Sequence, residues 1–169
     1  MQILFLPKPF AIALCFLVWA VIQTLVSFVC LKIPNRYFSP YKFPFNSFGF
    51  EQDGGFYRKW LRVNIWKKYL PDGGALMGAE YRKKNLEHVT HANLQRFLTE
   101  SCRAETTHFL AIFPFWMFGF IAPPEVIWIM LIYAVAINLP CIIAQRYNRP
   151  RIKILMKKRF QKEEFHETR

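Results

Sequence analysis

Residues 10–31 run without a charged side chain between Lys8 and Lys32. At about 1.5 Å of rise per residue, a helix over this run is long enough for a hydrocarbon core of roughly 30 Å. Lipid offers no partner to an open backbone amide, so a run of this kind crosses a bilayer as a helix. A cleaved signal sequence is the rival, but the run exceeds the usual apolar core of such signals and no A-x-A-like site follows it. A lipoprotein reading of Cys30 is set aside because bulky Phe28 and Val29 precede it.

A second apolar region covers residues 106–144 and is interrupted by Ala122-Pro123-Pro124-Glu125. Two prolines and a charge mark the tip of a hairpin. The flanking pieces, 106–121 and 125–144, are then antiparallel helices, carrying Pro114 and Pro140 respectively. A re-entrant pair that dips in and returns is the alternative, because the first arm is short. The expected fold class is a mainly α membrane protein with about three transmembrane helices and an aromatic and basic cytoplasmic interfacial region. Residues 1–169 form one membrane domain: a first span at 10–31, the interfacial region at 32–105, the hairpin at 106–144 and a basic tail at 145–169.

Charge gives the orientation. Of 23 Lys and Arg, thirteen lie within residues 32–103 and nine from Arg146 onward. Three spans put both groups on one side, and the positive-inside rule makes that side cytoplasmic. The expected location is therefore a cell membrane, crossed several times. A net charge of +12 on so apolar a chain suits anionic headgroups or an anionic substrate.

Residues 33–74 interleave rings such as Tyr37, Phe43, Phe50, Trp60 and Trp66 with Arg58, Lys59, Arg62, Lys67 and Lys68. Rings and cations could grip nucleic acid, but beside membrane spans they read as an interfacial shelf with lipid, and no nucleic acid, as partner. Leu61, Val63 and Ile65 have a strand period while Phe56, Trp60 and Val63 have a helical one, so periodicity leaves both open. Pro71-Asp72-Gly73-Gly74 reads as a turn. Residues 80–105 read as a helix leading into the second span. Ile152, Leu155, Met156 and Phe160 recur at helical spacing among basic residues, as in a helix lying on an anionic leaflet.

Polar groups at membrane depth are functional candidates by default. Arg103, Glu105 and His108 cluster where the second span begins, and Glu105 with His108 is an i, i+3 pair on one helix face. Such a pair suits a general base held in one tautomer, or equally an interfacial ion pair. Asn138 and Gln145, seven apart, share a face that interhelical hydrogen bonding would explain. After them Arg146, Asn148, Arg149 and Arg151 surround a turn, where guanidinium forks suit phosphate or carboxylate unless they are only a topogenic flank.

His88 and His91 lack a second pair of ligands, so no metal is expected. The four cysteines show no disulfide or metal spacing. There is no Gly-rich phosphate loop, no G-x-S-x-G elbow, no H-E-x-x-H helix and no His followed five residues later by Asp.

Four segments carry a resemblance: Ile33-Pro34-Asn35-Arg36-Tyr37-Phe38, Ser47-Phe48-Gly49-Phe50-Glu51, Arg103-Ala104-Glu105-Thr106-Thr107-His108 and Gln145-Arg146-Tyr147-Asn148-Arg149-Pro150-Arg151. In the same order, over about residues 33–154, the chain resembles the glycosyl-4,4'-diaponeurosporenoate acyltransferase family, whose members complete staphyloxanthin-type carotenoids. Gly54-Gly55 and the stretch around His88 and His91 fit it less well. The resemblance implies a membrane acyltransferase that esterifies the 6-hydroxyl of the glucose unit of a glycosylated C30 carotenoid acid, or a related glycolipid, with a fatty acyl chain. An acyl thioester would be the co-substrate, with no bound cofactor. It carries no catalytic residues over, so the roles come from chemistry: His108 as base with Glu105, and Arg103, Asn138, Gln145, Arg146, Asn148, Arg149 and Arg151 as substrate-binding groups. The alternative is a non-catalytic membrane partner that holds a pathway-enzyme complex. A membrane methyltransferase is a third option, without a visible cofactor site.

Overall fold

The structure, a computed structural model, describes residues 2–70 and 90–167; the turn expected at 71–74, His88 and the first part of the helix expected at 80–105 lie outside them. The described residues are mostly helical and contain no strand. The long elements are α1 (Lys8–Lys32), α4 (His91–Ile112) and α5 (Pro124–Glu167), with the short α2 (Gly55–Lys59) and α3 (Val63–Trp66) between them. The chain divides into two compact units, residues 1–34 with 103–142, and residues 35–102 with 143–169.

In the first unit, Cys15, Trp19 and Ile22 of α1 form a buried cluster with Phe118, Ala122, Met130 and Ala134. Trp19 stacks on Phe118 at 5.8 Å and meets Tyr133 edge-on at 5.5 Å. Phe10, Leu17, Phe28 and Val29 on α1, and Trp128, Ile129 and Ile132 on α5, face outward. Such faces suit lipid, since a water-soluble chain rarely leaves so much contiguous apolar surface open. Among the described residues, two helices are long and apolar enough to cross a membrane, Pro9–Lys32 and Pro124–Arg159.

The expected second span takes another form. The α-helical ladder of α4 stops at Ile112, and Phe113–Phe120 continues as a 3-10 helix with Pro114 in its first turn. Pro114 lacks an N–H and disfavours α geometry at the residue before it, which ends the ladder there. The break leads into a tight approach at Gly119, where a Cβ would meet Ile127 Cδ1 at 2.7 Å. Pro123-Pro124 does open the next helix, with Pro124 as its first residue, a position where a missing N–H costs nothing.

The second unit is built around the C-terminal part of α5. Tyr147 is buried with Tyr57 and Val63, flanked by Phe56, Trp66 and Ile143. Met156 is buried with Leu94 and Leu98 of α4, beside Ile152, so part of the expected amphipathic stripe is core and Leu155 is exposed. Helix α4 starts where Thr90 Oγ1 accepts the Asn93 N–H at 3.2 Å, a side-chain N-cap. The alternation of Leu61, Val63 and Ile65 does not make a strand: Arg62 takes a left-handed φ of 47° and α3 begins at Val63.

The turn expected at Arg146, Arg149 and Arg151 is helical instead, because α5 runs unbroken through Pro140 and Pro150. A proline removes one ladder bond, yet packing on both sides of Pro150, by Tyr147 and by Met156, holds the helix through it. All four cysteines are buried and free.

Candidate functional site

In the first unit the polar side chains of α4 and α5 meet. Asn138 is fully buried; its Nδ2 donates to the Ala134 carbonyl at 2.9 Å, and its Oδ1 lies 2.9 Å from His108 Nδ1. The bond to Ala134 fixes which way the amide points, leaving only an acceptor for the imidazole. The hydrogen-bond network thus puts the proton of a neutral His108 on Nδ1 and the basic lone pair on Nε2. That tautomer can take a proton from a hydroxyl.

Around this pair, Glu105 is buried one helical turn before His108, and Arg103, also buried, donates from Nη1 to the Leu31 carbonyl at 3.2 Å. Leu31 lies in the last turn of α1, so Arg103 places a cation on a carbonyl at the negative end of that helix, which favours both groups. Gln23 Nε2 donates to the Ala111 carbonyl at 3.3 Å and ties α1 to α4.

The second unit has its own polar cluster. Glu51 is 1 % exposed; its Oε1 accepts from Tyr57 Oη and from Arg146 Nε, each at 2.5 Å, and its Oε2 accepts the Phe48 N–H at 2.9 Å. Glu51 stands three residues after Phe48, at the start of the 3-10 helix Gly49–Gly54, so it caps that helix from inside. Burial and the adjacent Glu51 carboxylate push the Tyr57 hydroxyl well above its ordinary range, against the smaller opposite pull of Arg146.

Arg146 also donates to the carbonyls of Pro44 and Asn46, at 3.3 and 3.4 Å, and lies over the Phe48 ring. Arg149, 2 % exposed, donates to the carbonyls of Phe45 at 2.8 Å and Ser101 at 3.2 Å. Lys153 reaches the Pro40 carbonyl, and Lys67 donates to Asn148 Oδ1 at 2.7 Å. These cations hold residues 40–51 and 67 against α5, taking the place of a sheet or a disulfide.

The family model for glycosyl-4,4'-diaponeurosporenoate acyltransferase matches residues 34–158, well over half of the chain. The chain belongs to this family. It is similar to the glycosyl-4,4'-diaponeurosporenoate acyltransferase of Staphylococcus aureus strain Newman, 34% identical over 153 residues, covering 90% of this chain and 92% of the relative. The same protein of strain bovine RF122 / ET3-1 is 34% identical over 143 residues, 85% of this chain and 86% of the relative. No solved structure matches. Membership in the acyltransferase family makes the chain an enzyme that transfers an acyl group, and the resemblance carried by its four segments is borne out.

Within this acyltransferase, the residues expected to bind substrate fall into three sets. Asn138 and Arg103 have partners inside the first unit, His108 and the Leu31 carbonyl respectively. Arg146, Asn148 and Arg149 have partners inside the second unit, and Gln145 is buried there. Arg151 is exposed and lines a pocket. Sequence reasoning did not give Glu51, Tyr57 and Lys67 a place beside α5. One signal was present: Glu51 and Asp53 are the only acids among eight Lys and Arg in residues 32–70. Of these two carboxylates, Glu51 finds a guanidinium, that of Arg146.

Proposed function

We propose that this acyltransferase works in a membrane, esterifying the 6-hydroxyl of the glucose unit of a glycosylated C30 carotenoid acid with a fatty acyl chain from a thioester. The observation that carries the reading is the family match over residues 34–158, whose relatives are named for a glycosylated diaponeurosporenoate. His108, held by Asn138, supplies the base. Its Nε2 takes the hydroxyl proton as the sugar oxygen bonds to the acyl carbon, and the imidazolium returns that proton to the departing thiolate. Glu105 supplies a carboxylate whose field favours the imidazolium.

Three passes suit the dimensions. The α turns from 106 to 112 and the 3-10 run to Phe120 together reach about 26 Å, since a 3-10 helix rises about 2.0 Å per residue against 1.5 Å in an α-helix. That nearly crosses the hydrocarbon layer of roughly 30 Å. Reporters fused after Leu70 and at the C-terminus are expected to report cytoplasm together. Opposite signals from the two sites would refute the three-pass arrangement.

The activity itself is read by incubating purified protein with a glucosylated carotenoid acid and a labelled fatty acyl thioester. One new ester on the glucose is expected, and none when the acceptor is its 6-deoxyglucosyl analogue. Transfer no greater than in protein-free controls, with the protein correctly folded, would overturn this acceptor.

A further inference from the structure

The second unit contains a pocket of about 380 Å³ lined by Gln52, Asp53, Arg58, Arg151 and Ile154, together with the Gly54-Gly55 backbone. Gln52 and Asp53 take left-handed φ values of 47° and 52°, and Gly54 follows at 89°. Gly54 then passes so near α5 that a Cβ would meet the Tyr147 carbonyl oxygen at 3.0 Å. Glycine permits both the conformation and the approach, which puts the arginine of α2 and that of α5 into one pocket.

Availability separates these residues from their neighbours. Arg146, Arg149 and Lys153 spend donors on backbone carbonyls. Among the described residues, Gln52, Asp53, Arg58 and Arg151 make no side-chain hydrogen bond or ion pair, and the Arg151 guanidinium lies over the Tyr147 ring at 5.0 Å. Stacking of that kind fixes the plane of a guanidinium and leaves its edge donors open.

Position along α5 sets the depth of the pocket. Residues 126–145 carry no charge, and Arg146 is the first charged side chain after them. Arg151 follows five residues later, about 8 Å further along the helix. The headgroup layer adds about 5–8 Å on each side of the hydrocarbon core, so Arg151 stands at its outer edge and a long side chain there can bend back into it. Asn138, the partner of His108, lies about 20 Å earlier on the same helix, so a small ligand in the pocket stands clear of the reacting atoms.

Size and chemistry narrow the ligand. Ligand clefts run from about 300 to 1,000 Å³, so this pocket suits a headgroup and not a whole lipid. Two open guanidiniums match a phosphate, whereas Asp53 repels a phosphate that carries nothing else; a carboxylate and an amide beside it match hydroxyls attached to that phosphate. Ile154 and Leu155 leave apolar side chains exposed next to Arg151, as acyl chains below a headgroup require. We propose that this pocket binds the headgroup of an anionic phospholipid, a phosphodiester bearing hydroxyls, with Arg58 and Arg151 donating to the phosphate and Asp53 and Gln52 accepting from the hydroxyls. This rests on the reading that α5 crosses a bilayer.

The test titrates the full chain in detergent micelles with single lipids and reads the lipid retained by native mass spectrometry. Phosphatidylglycerol should bind about tenfold more tightly than phosphatidylcholine, and more tightly than phosphatidylmethanol, which has the same charge and no headgroup hydroxyl. Excess glycerol 3-phosphate should not displace it. Arg58→Gln and Arg151→Leu should each weaken phosphatidylglycerol binding about tenfold, as expected for hydrogen bonds to charged groups. Lys68→Gln, an equal change of charge outside the pocket, should leave it near wild type. Asp53→Asn lifts the repulsion, so it should tighten phosphatidylmethanol and narrow the preference between the two anionic lipids. Insertion is read separately, by resistance of the membrane-bound chain to alkaline carbonate. An inserted chain that retains all three lipids equally, wild-type binding by both arginine variants, an equal loss in Lys68→Gln, or displacement by glycerol 3-phosphate would overturn the proposal and leave the membrane reading standing. A chain stripped from membranes by carbonate would overturn both.

Discussion

His108→Ala should lower acyl transfer by about 10²- to 10⁴-fold, the usual cost of removing a general base. A hydroxyl is a poor nucleophile near neutral pH, so direct transfer needs a group that accepts its proton while the bond to carbon forms. His108 meets this demand because Asn138 cannot offer it a donor: the amide N–H is engaged by the Ala134 carbonyl at 2.9 Å, so the oxygen faces Nδ1. Asn138→Leu should then lower turnover less than His108→Ala does, since it removes the group that sets the tautomer and not the base. Asn138→Asp keeps an acceptor on Nδ1 and should retain more activity than Asn138→Leu. The assay is ester formation by purified variants, with membrane insertion checked independently. Near-normal turnover by His108→Ala would leave the histidine a structural group and remove the general-base mechanism.

The sequence made His108 visible for a simple reason: a titratable ring inside an apolar run has few bland explanations. Its partner was harder to read. Glu105 stands one turn away on the same helix, and spacing exposes such pairs, whereas Asn138 lies 30 positions on and only packing of α4 against α5 brings it to Nδ1. The same limit explains Arg146 and Arg149. Their forks matched an anionic ligand equally well on paper, and nothing local says that the chain at 44–46 offers its carbonyls to them. The helix through Pro150 was also illegible, because a proline amid arginines reads as a turn until Tyr147 and Met156 are seen packed on either side. Two apolar boundaries were legible, since residues 10–31 lie within α1 and Pro123-Pro124 marks the start of α5, whereas the run expected as one helix over 106–121 changes to a 3-10 helix at Phe113.

Glu51→Ala should be the most destabilising single change in the second unit. Glu51 is buried and receives three hydrogen bonds, from Arg146, Tyr57 and the Phe48 amide. Removing one member of a buried ion pair costs about 3–5 kcal/mol, because the partner charge stays without compensation. The Arg146 side chain is 12% exposed, which lets water relieve part of that charge and favours the lower end. For a chain of this size each kcal/mol moves the melting temperature by roughly 2–4 °C, so a drop of about 10 °C is expected. Tyr57→Phe removes one hydrogen bond and should cost about 1 kcal/mol. Glu51→Leu combined with Arg146→Leu removes both charges together and should melt higher than Glu51→Ala, as replacement of a whole buried pair by apolar groups does. Thermal unfolding in detergent measures all four proteins, and acyl transfer is followed beside it. If Glu51→Ala melts like wild type while transfer is abolished, the carboxylate acts on substrate and the holding role given to this cluster is wrong. If melting falls and residual transfer follows the folded fraction, Glu51 belongs to the scaffold that fastens residues 40–51 to α5.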